Sequence, residues 1–281
     1  MRVKHRFTFL KEKKTNEIAI YLDKKNIRYT LSNGIPLITF NIFEDDELWS
    51  EVNALMVKHK EEFSLIETLY SKEEFENASW LTVRSKWRWE YPQPEDDFEY
   101  KHLTYDSRNY CDKCGCGLIQ KESFKLKKSP NWGKRNFLML NWLEDELFIN
   151  SKVEEVLKNY NLKEIELYIV KNVKTNQQID NIKQIYVKNI LKPGLVNQNN
   201  TIKSITKCGK CGYIKMLGTG RGVIFNKEVF RDVKSDIIKS HEVFGDGHMC
   251  SRIIFVSKIF YNVIKENGLD KDLVFEPVML I

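Results

Sequence analysis

The chain has no long apolar run. Nowhere in its 281 residues do about 18 apolar positions follow one another, as a helix crossing a bilayer requires, so no membrane span is expected. The opening Met1-Arg-Val-Lys-His-Arg6-Phe-Thr-Phe-Leu10 turns polar at Lys11-Glu-Lys-Lys14 and lacks the roughly 7–15-residue apolar stretch of a secretory signal. Histidine is scarce: His5, His59, His102, His241 and His248 are all there are, and none lies in a nucleophile or metalloprotease motif. No strand–loop–helix glycine fingerprint or Gly-Lys-Ser/Thr is present, so Gly218-Thr-Gly-Arg-Gly222 and Gly245-Asp-Gly247 are expected to be turns. Glu44-Asp-Asp-Glu47, Asp96-Asp97 and Glu144-Asp-Glu146 read as solvated faces or helix starts. No constellation remains on which to place a reaction, and the chain is expected not to be an enzyme.

Cysteine is sparse but patterned. Cys111-Asp-Lys-Cys114-Gly115 and Cys208-Gly-Lys-Cys211-Gly212 are the same hook twice, and the glycine after each pair permits a tight knuckle. Four thiolates on two such hooks are what a closed, tetrahedral structural zinc site requires, so Cys111, Cys114, Cys208 and Cys211 are the expected ligands of one Zn2+ per chain. A redox role would want a C-x-x-C leading into a helix; Gly-Cys-Gly-Leu and Gly-Tyr-Ile follow the hooks instead. Cys116 reads as a spare thiol, and His248-Met-Cys250, with His241 nearby, as incidental to metal binding. Six cysteines without an export signal point to a reducing cytoplasm, where paired C-x-x-C is more often metal than disulfide.

Charge is uneven. Residues 1–100 carry 15 Lys/Arg against 19 Asp/Glu, and residues 101–281 carry 30 against 20. The excess is densest about the hooks, with nine basic and three acidic residues from Lys101 to Arg135 and five basic and none acidic from Thr201 to Arg221. Such a ribbon suits an acidic partner, either nucleic acid or an acidic protein face. Lysines offsetting the negative charge of a metal tetrathiolate would account for it as well.

The expected fold is α+β in two parts, an N-terminal domain over residues 1–97 and a zinc-ribbon domain over 98–281. Alternation in Arg6–Leu10, Ile18–Leu22, Ile27–Leu31 and Pro36–Asn41 predicts short antiparallel strands, with turns at Asn26 and Asn33-Gly34. Helical spacing follows in Leu48, Trp49, Val52, Leu55, Met56 and His59, then a short helix near Lys72–Asn77 and a strand at Trp80–Arg84. Lys86-Trp87-Arg88-Trp89 reads as an edge strand burying its tryptophans, although such interleaving can also stack bases. Tyr91-Pro-Gln-Pro-Glu-Asp-Asp97 marks the expected domain boundary. Further on, Phe148–Leu162 with Ile165–Val170 and Phe255–Leu269 with Leu273–Val278 line up as a duplicated strand–helix–strand unit. Ser151 and Glu154 have capping-box spacing in the first copy, and Gly268 sits where a helix C-terminus wants it in the second.

The paired hooks, the Phe148-Ile-Asn-Ser-Lys-Val…Leu162 segment and the closing Phe255-Val-Ser-Lys…Gly268-Leu…Phe-Glu-Pro-Val278 together resemble the double-CXXCG family of bacterial immunity proteins, whose members include antidotes to swarming-inhibition toxins. Ser235-Asp-Ile-Ile-Lys-Ser240 is similar to that family's stretch between the second hook and the last helix. The resemblance covers about residues 101–281. Cys116, Cys250 and the N-terminal hundred residues depart from it. It implies a cytoplasmic immunity protein that binds and occludes a cognate toxin, with the hook cysteines on a structural zinc and no catalytic residue. A zinc-ribbon nucleic-acid-binding or regulatory protein stays open as the alternative, on the basic residues about the hooks and Lys86–Trp89. A metal-dependent enzyme using His241, His248 and Cys250 would need a second metal.

Overall fold

Strict alternation along Arg2–Leu10 buries Val3, His5, Phe7 and Phe9 and turns Arg6 and Thr8 outward, which makes this strand (β1) the centre of a half-buried sheet. The protein is described by a computed structural model over residues 1–59 and 64–281. The chain divides into two units, the first comprising Met1–Glu76 with Asn199–Thr201 and Thr219–Gly222. After β1 this unit holds α1 (Asn16–Lys24), β2 (Tyr29–Leu31), β3 (Leu37–Phe43), α2 (Trp49–Lys58), β4 (Ser64–Leu69) and α3 (Lys72–Asn77), whose last residue falls in the second unit. Its sheet is antiparallel in the order β2-β3-β1-β4.

One face of that sheet packs Phe7, Phe9, Ile38 and Phe40 against Ile18, Leu22, Val52 and Met56 of the two longer helices. Each such side chain contributes on the order of 1.5–3 kcal/mol by leaving water. The strand expected over Ile18–Leu22 is therefore a helix. Ile18, Ala19 and Leu22 are buried at helical spacing while Ile20 is 59% exposed, so the apparent alternation was a helical stripe seen through a short window. The turns fall where expected, with Asn26 and Gly34 both at positive φ.

The second unit comprises Asn77–Gln198, Ile202–Gly218 and Val223–Ile281. Its first elements are β5 (Trp80–Ser85), α4 (Tyr100–Thr104), β6 (Tyr105–Asp106), β7 (Ile119–Gln120), β8 (Lys125–Leu126) and β9 (Phe137–Leu138). Then come β10 (Leu147–Ile149), α5 (Ser151–Asn159), β11 (Glu166–Asn172), β12 (Gln178–Tyr186), β13 (Ile202–Lys207) and β14 (Ile214–Gly218). The chain closes with β15 (Ile224–Phe225), β16 (Ile237–Lys239), β17 (Val243–Phe244), β18 (Ile254–Ser257), α6 (Lys258–Glu266), β19 (Leu273–Pro277) and β20 (Met279–Leu280).

The duplicated strand–helix–strand unit is present as β10-α5-β11 and β18-α6-β19, each inserted in a sheet of its own. Strands β10 and β11 flank β12 in the order β9-β10-β12-β11-β8, and β18 and β19 flank β5 in the order β16-β18-β5-β19. Both flanking strands run antiparallel to the one between them, so each helix connects two parallel strands across a gap that a third strand fills. In the first copy the filler is the next strand along the chain. In the second it is Trp80–Ser85, which lies far upstream.

That pairing moves the division of the chain to Glu76–Asn77 instead of residue 97. Tyr91–Asp97 lies inside the second unit, where Gln93 is buried and its N–H bonds the Lys125 carbonyl at 2.9 Å. The helix ends also differ in detail from expectation. Asn150, one residue before Ser151, is the N-cap of α5 and accepts the Val153 N–H at 3.0 Å. At α6, Gly268 (φ +64) closes the helix: its N–H bonds Lys265 O and that of Leu269 bonds Ile264 O, the paired bonds of a Schellman turn.

Candidate metal centre

Each hook sits at the tip of a hairpin, β6–β7 for the first and β13–β14 for the second. The two knuckles have the same backbone geometry. Cys111 N–H bonds Cys116 O and Gly115 N–H bonds Cys111 O, both at 2.8 Å; Cys208 N–H bonds Tyr213 O at 2.8 Å and Gly212 N–H bonds Cys208 O at 2.9 Å. The two glycines have φ of +78° and +79°, the left-handed conformation that admits glycine without penalty. At Gly115 there is a second constraint, because a Cβ would lie 2.0 Å from the His248 carbonyl oxygen.

The knuckles bring their sulfurs together. Cys111 Sγ lies 3.8 Å from Cys208 Sγ and Cys114 Sγ 3.5 Å from Cys211 Sγ, and all four lie within 4.8 Å of one another. Four thiolates at a zinc–sulfur distance of about 2.3 Å in a tetrahedron would be roughly 3.8 Å apart, so the two close pairs match a tetrahedral ion and the wider ones need to draw in by no more than about 1 Å. Cys111, Cys114 and Cys208 are buried and Cys211 reaches the surface. Among the described residues this is the one group of three or more Cys, His or carboxylate ligands. Four cysteines close enough to hold a metal ion were thus placed correctly from the hooks.

Electrostatics divides the thiols by their place in the hook. The N–H groups of Cys211 and Lys210 point at Cys208 and pull it down to about 6. Burial opposes ionisation of Cys111, yet the Cys114 and Lys113 N–H groups and the Cys211 thiol bring it below its usual value. Burial pushes Cys114 up to about 12. Against the Tyr213 N–H that favours its thiolate, desolvation together with the neighbouring Cys111 and Cys208 thiols raises Cys211. Four thiolates need a cation among them before all can ionise; a bound divalent ion would supply that charge and a cross-link between the hairpins.

The surroundings brace the knuckles. Lys215, buried, donates from Nζ to the carbonyls of Cys114 (3.0 Å), Gly247 (2.5 Å) and Met249 (3.0 Å). Lys210 of the second hook pairs with Asp112 of the first at 2.6 Å. Cys116, expected to be a spare thiol, forms a disulfide with Cys250, their Cα atoms 5.2 Å apart. Nothing in the local spacing points to this pairing. It follows from the turn after Gly245, which lays His248–Cys250 over the first knuckle. His248 and His241 are exposed, and neither belongs to a metal-ligand group among the described residues.

Comparison of the chain with protein-family models, with curated proteins and with solved structures gives no match. No helix is long and apolar enough to cross a membrane among the described residues.

Two buried polar networks lie in stretches expected to be solvated. Glu146 is 5% exposed, takes Lys239 Nζ at 2.7 Å and Gln184 Nε2 at 2.7 Å, and Lys239 also reaches Asp145 at 3.4 Å. Burial pushes the Glu146 carboxyl up, while the two carboxylates hold Lys239 high against its own burial. In the first unit, Glu44 accepts from His5 Nε2 at 2.7 Å and pairs with Arg221, and His5 Nδ1 meets Ser64 Oγ at 2.9 Å. Ser, His and Glu in line have the composition of a hydrolase triad. Here the ring packs at a tilt against Trp49, centroids 4.3 Å apart, and is buried on the core side of the sheet, so it acts as a packed, hydrogen-bonded strut.

The tryptophans of Lys86–Trp89 pack as expected, against the core that includes Trp132, although the segment forms a single bridge, Arg88 to Met139, and no ladder. Arg135 lies 4.6 Å over the Trp87 ring.

Proposed function

We propose that this chain is a zinc-clamped binding protein of the immunity type, which occludes a cognate bacterial toxin. The observation that carries the proposal is the closed set of four thiols on two matching knuckles, in the same order along the chain as the duplicated strand–helix–strand units. With four protein ligands no coordination position is left for a substrate, so the ion acts as a structural staple and zinc is the ion the donor set suits best. What the staple holds in place is the hairpin β13–β14. Strand β13 is an edge, exposed beyond its first residue, and its register puts Ile205 and Lys207 on one face with Met216 and Ile214. Ile205 and Ile214 are 54% and 49% exposed. Lys203 and Lys207 have no carboxylate partner among the described residues, whereas Lys127 and Lys128 are already paired with Glu95 and Glu90. An apolar edge flanked by free lysines suits an acidic protein face better than a nucleic acid, whose bases would need Trp87 and Trp89, and these pack against the core.

The test is co-expression with each toxin encoded beside the gene. Protection and a stable complex are expected from the wild-type chain, with both weakened by Ile205→Asp and by Lys203→Glu with Lys207→Glu. A chain that neither protects against nor binds any of them is not an immunity protein. Metal analysis of the same preparation is expected to give one zinc per chain, lost in Cys208→Ser; a second metal, or zinc retained in that variant, would refute the staple.

A further inference from the structure

The open face of the first unit's sheet is chemically unlike the rest of that unit. Residues 1–76 hold 12 Lys/Arg against 14 Asp/Glu, a slight acidic excess. The face that β1, β2, β3 and β4 turn away from their helices nevertheless gathers Lys4, Arg6 and Arg28 about a cleft of about 660 Å3. One carboxylate, Glu67, lines the cleft, and Lys4 engages it at 2.5 Å. Arg6 and Arg28 are exposed and have no carboxylate partner among the described residues.

Register explains why these two converge. Arg6 stands opposite Asn41, and Tyr29 stands opposite Phe40, so Arg28, one residue before β2, comes beside Asn41 from the other side. Two guanidiniums thus flank one carboxamide, with strands about 4.8 Å apart. The next row across the sheet is Thr30, Thr39 and Thr8; the Thr8 and Thr39 hydroxyls are 3.1 Å apart, and the Thr30 hydroxyl donates at 3.4 Å to the Thr39 carbonyl, a long bond that a stronger acceptor could replace. Cationic forks beside a row of hydroxyl donors match the oxygens of a phosphate group. The cleft is wider than one inorganic phosphate needs.

We infer that this sheet face binds a phosphate-bearing small ligand of nucleotide size, with Arg6 and Arg28 clasping the phosphates and Asn41, Thr30 and Thr39 completing the donor set. This site is independent of the metal centre and of the immunity proposal. Its concave basic surface in an acidic surround would focus the field on an anion.

The experiment is a titration of the full chain with a fluorescent nucleoside triphosphate, with inorganic pyrophosphate and with a single-stranded oligonucleotide, at low and high salt. Saturable nucleotide binding is expected, weakened about tenfold by each of Arg6→Gln and Arg28→Gln, which is about 1.4 kcal/mol for the loss of one charge-assisted contact. Competition by pyrophosphate would place recognition in the phosphates. Lys72→Gln, whose side chain is 91% exposed on another element, should leave binding unchanged. All three substitutions are on the surface, and unchanged circular dichroism and melting would confirm that they fold. No binding at millimolar nucleotide, binding indifferent to both arginines, or binding of the oligonucleotide alone would each overturn the assignment.

Discussion

Lys239→Met is the most severe test of how the second unit is held together. Lys239 is 8% exposed and its ammonium group lies 2.7 Å from Glu146 and 3.4 Å from Asp145. Methionine fills a similar volume, so the packing term is small and the loss is electrostatic. At an effective dielectric of about 20, a contact near 3 Å is worth roughly 5 kcal/mol before desolvation. Removing the cation also ends its own desolvation penalty, and the net cost of orphaning a buried partner is about 3–5 kcal/mol. Against a total stability of order 5–15 kcal/mol, that is a large share. Adding Glu146→Gln keeps a hydrogen-bonding partner for Gln184 while removing the orphaned charge, so the double variant should regain about half of the loss. Urea unfolding followed by tryptophan fluorescence reports on the right unit, because Trp80, Trp87, Trp89, Trp132 and Trp142 all belong to it. A loss below about 1 kcal/mol for Lys239→Met, or a double variant no more stable than the single one, would refute this account of the pair.

The two knuckle glycines form a matched pair for a second test. Gly212→Ala meets nothing within 4 Å and should cost only the left-handed backbone penalty, about 1–2 kcal/mol; Gly115→Ala meets the His248 carbonyl as well and should lower metal retention and stability much further. Equal effects on zinc content and urea midpoint would show that the loop over the first knuckle does not bear on it. A third test is acid sensitivity of the first unit. Burial lowers the His5 pKa, so the unfolded chain takes up this proton first, and stability should fall as the pH drops below the ordinary histidine value of 6.5. Arg221 and His5 hold Glu44 below its ordinary 4.5 although burial opposes them, so its contribution is present above that value and is lost as the pH falls through the lowered one. His5→Gln should flatten the upper part of this profile, read by the fluorescence of Trp49; an unchanged profile would count against the strut.

What the chain discloses locally, the fold respects. The hooks, the helices Trp49–Lys58 and Lys72–Asn77, and both strand–helix–strand units each carry their signal within some fifteen residues, as turn glycines, capping side chains or apolar periodicity. Ile18–Leu22 is ambiguous on its own, because five residues with isoleucines at alternate positions satisfy a strand and a helix alike, and only burial against β1 decides. The remaining gaps are long-range. Trp80–Ser85 reads as a strand from its own residues, but its choice of β18 and β19 as neighbours depends on a gap between them that no local pattern reveals. Glu146 reads as one of three surface acids until Lys239, 93 residues away, is placed beside it. The Cys116–Cys250 pair is of the same kind, since each cysteine is unremarkable in its own segment and the 134-residue separation carries no pattern.

That disulfide also bears on how the chain matures. Six free thiols have many ways to pair, and all six lie in or directly beside one cluster, where wrong partners are close. An ion seated on Cys111, Cys114, Cys208 and Cys211 would withdraw those four from exchange as bound thiolates, because the attacking species in thiol–disulfide exchange is the free thiolate. The two left over have only each other. A metal bound there would act as a sorting device: with four thiolates held on the ion, oxidation would be confined to Cys116 and Cys250.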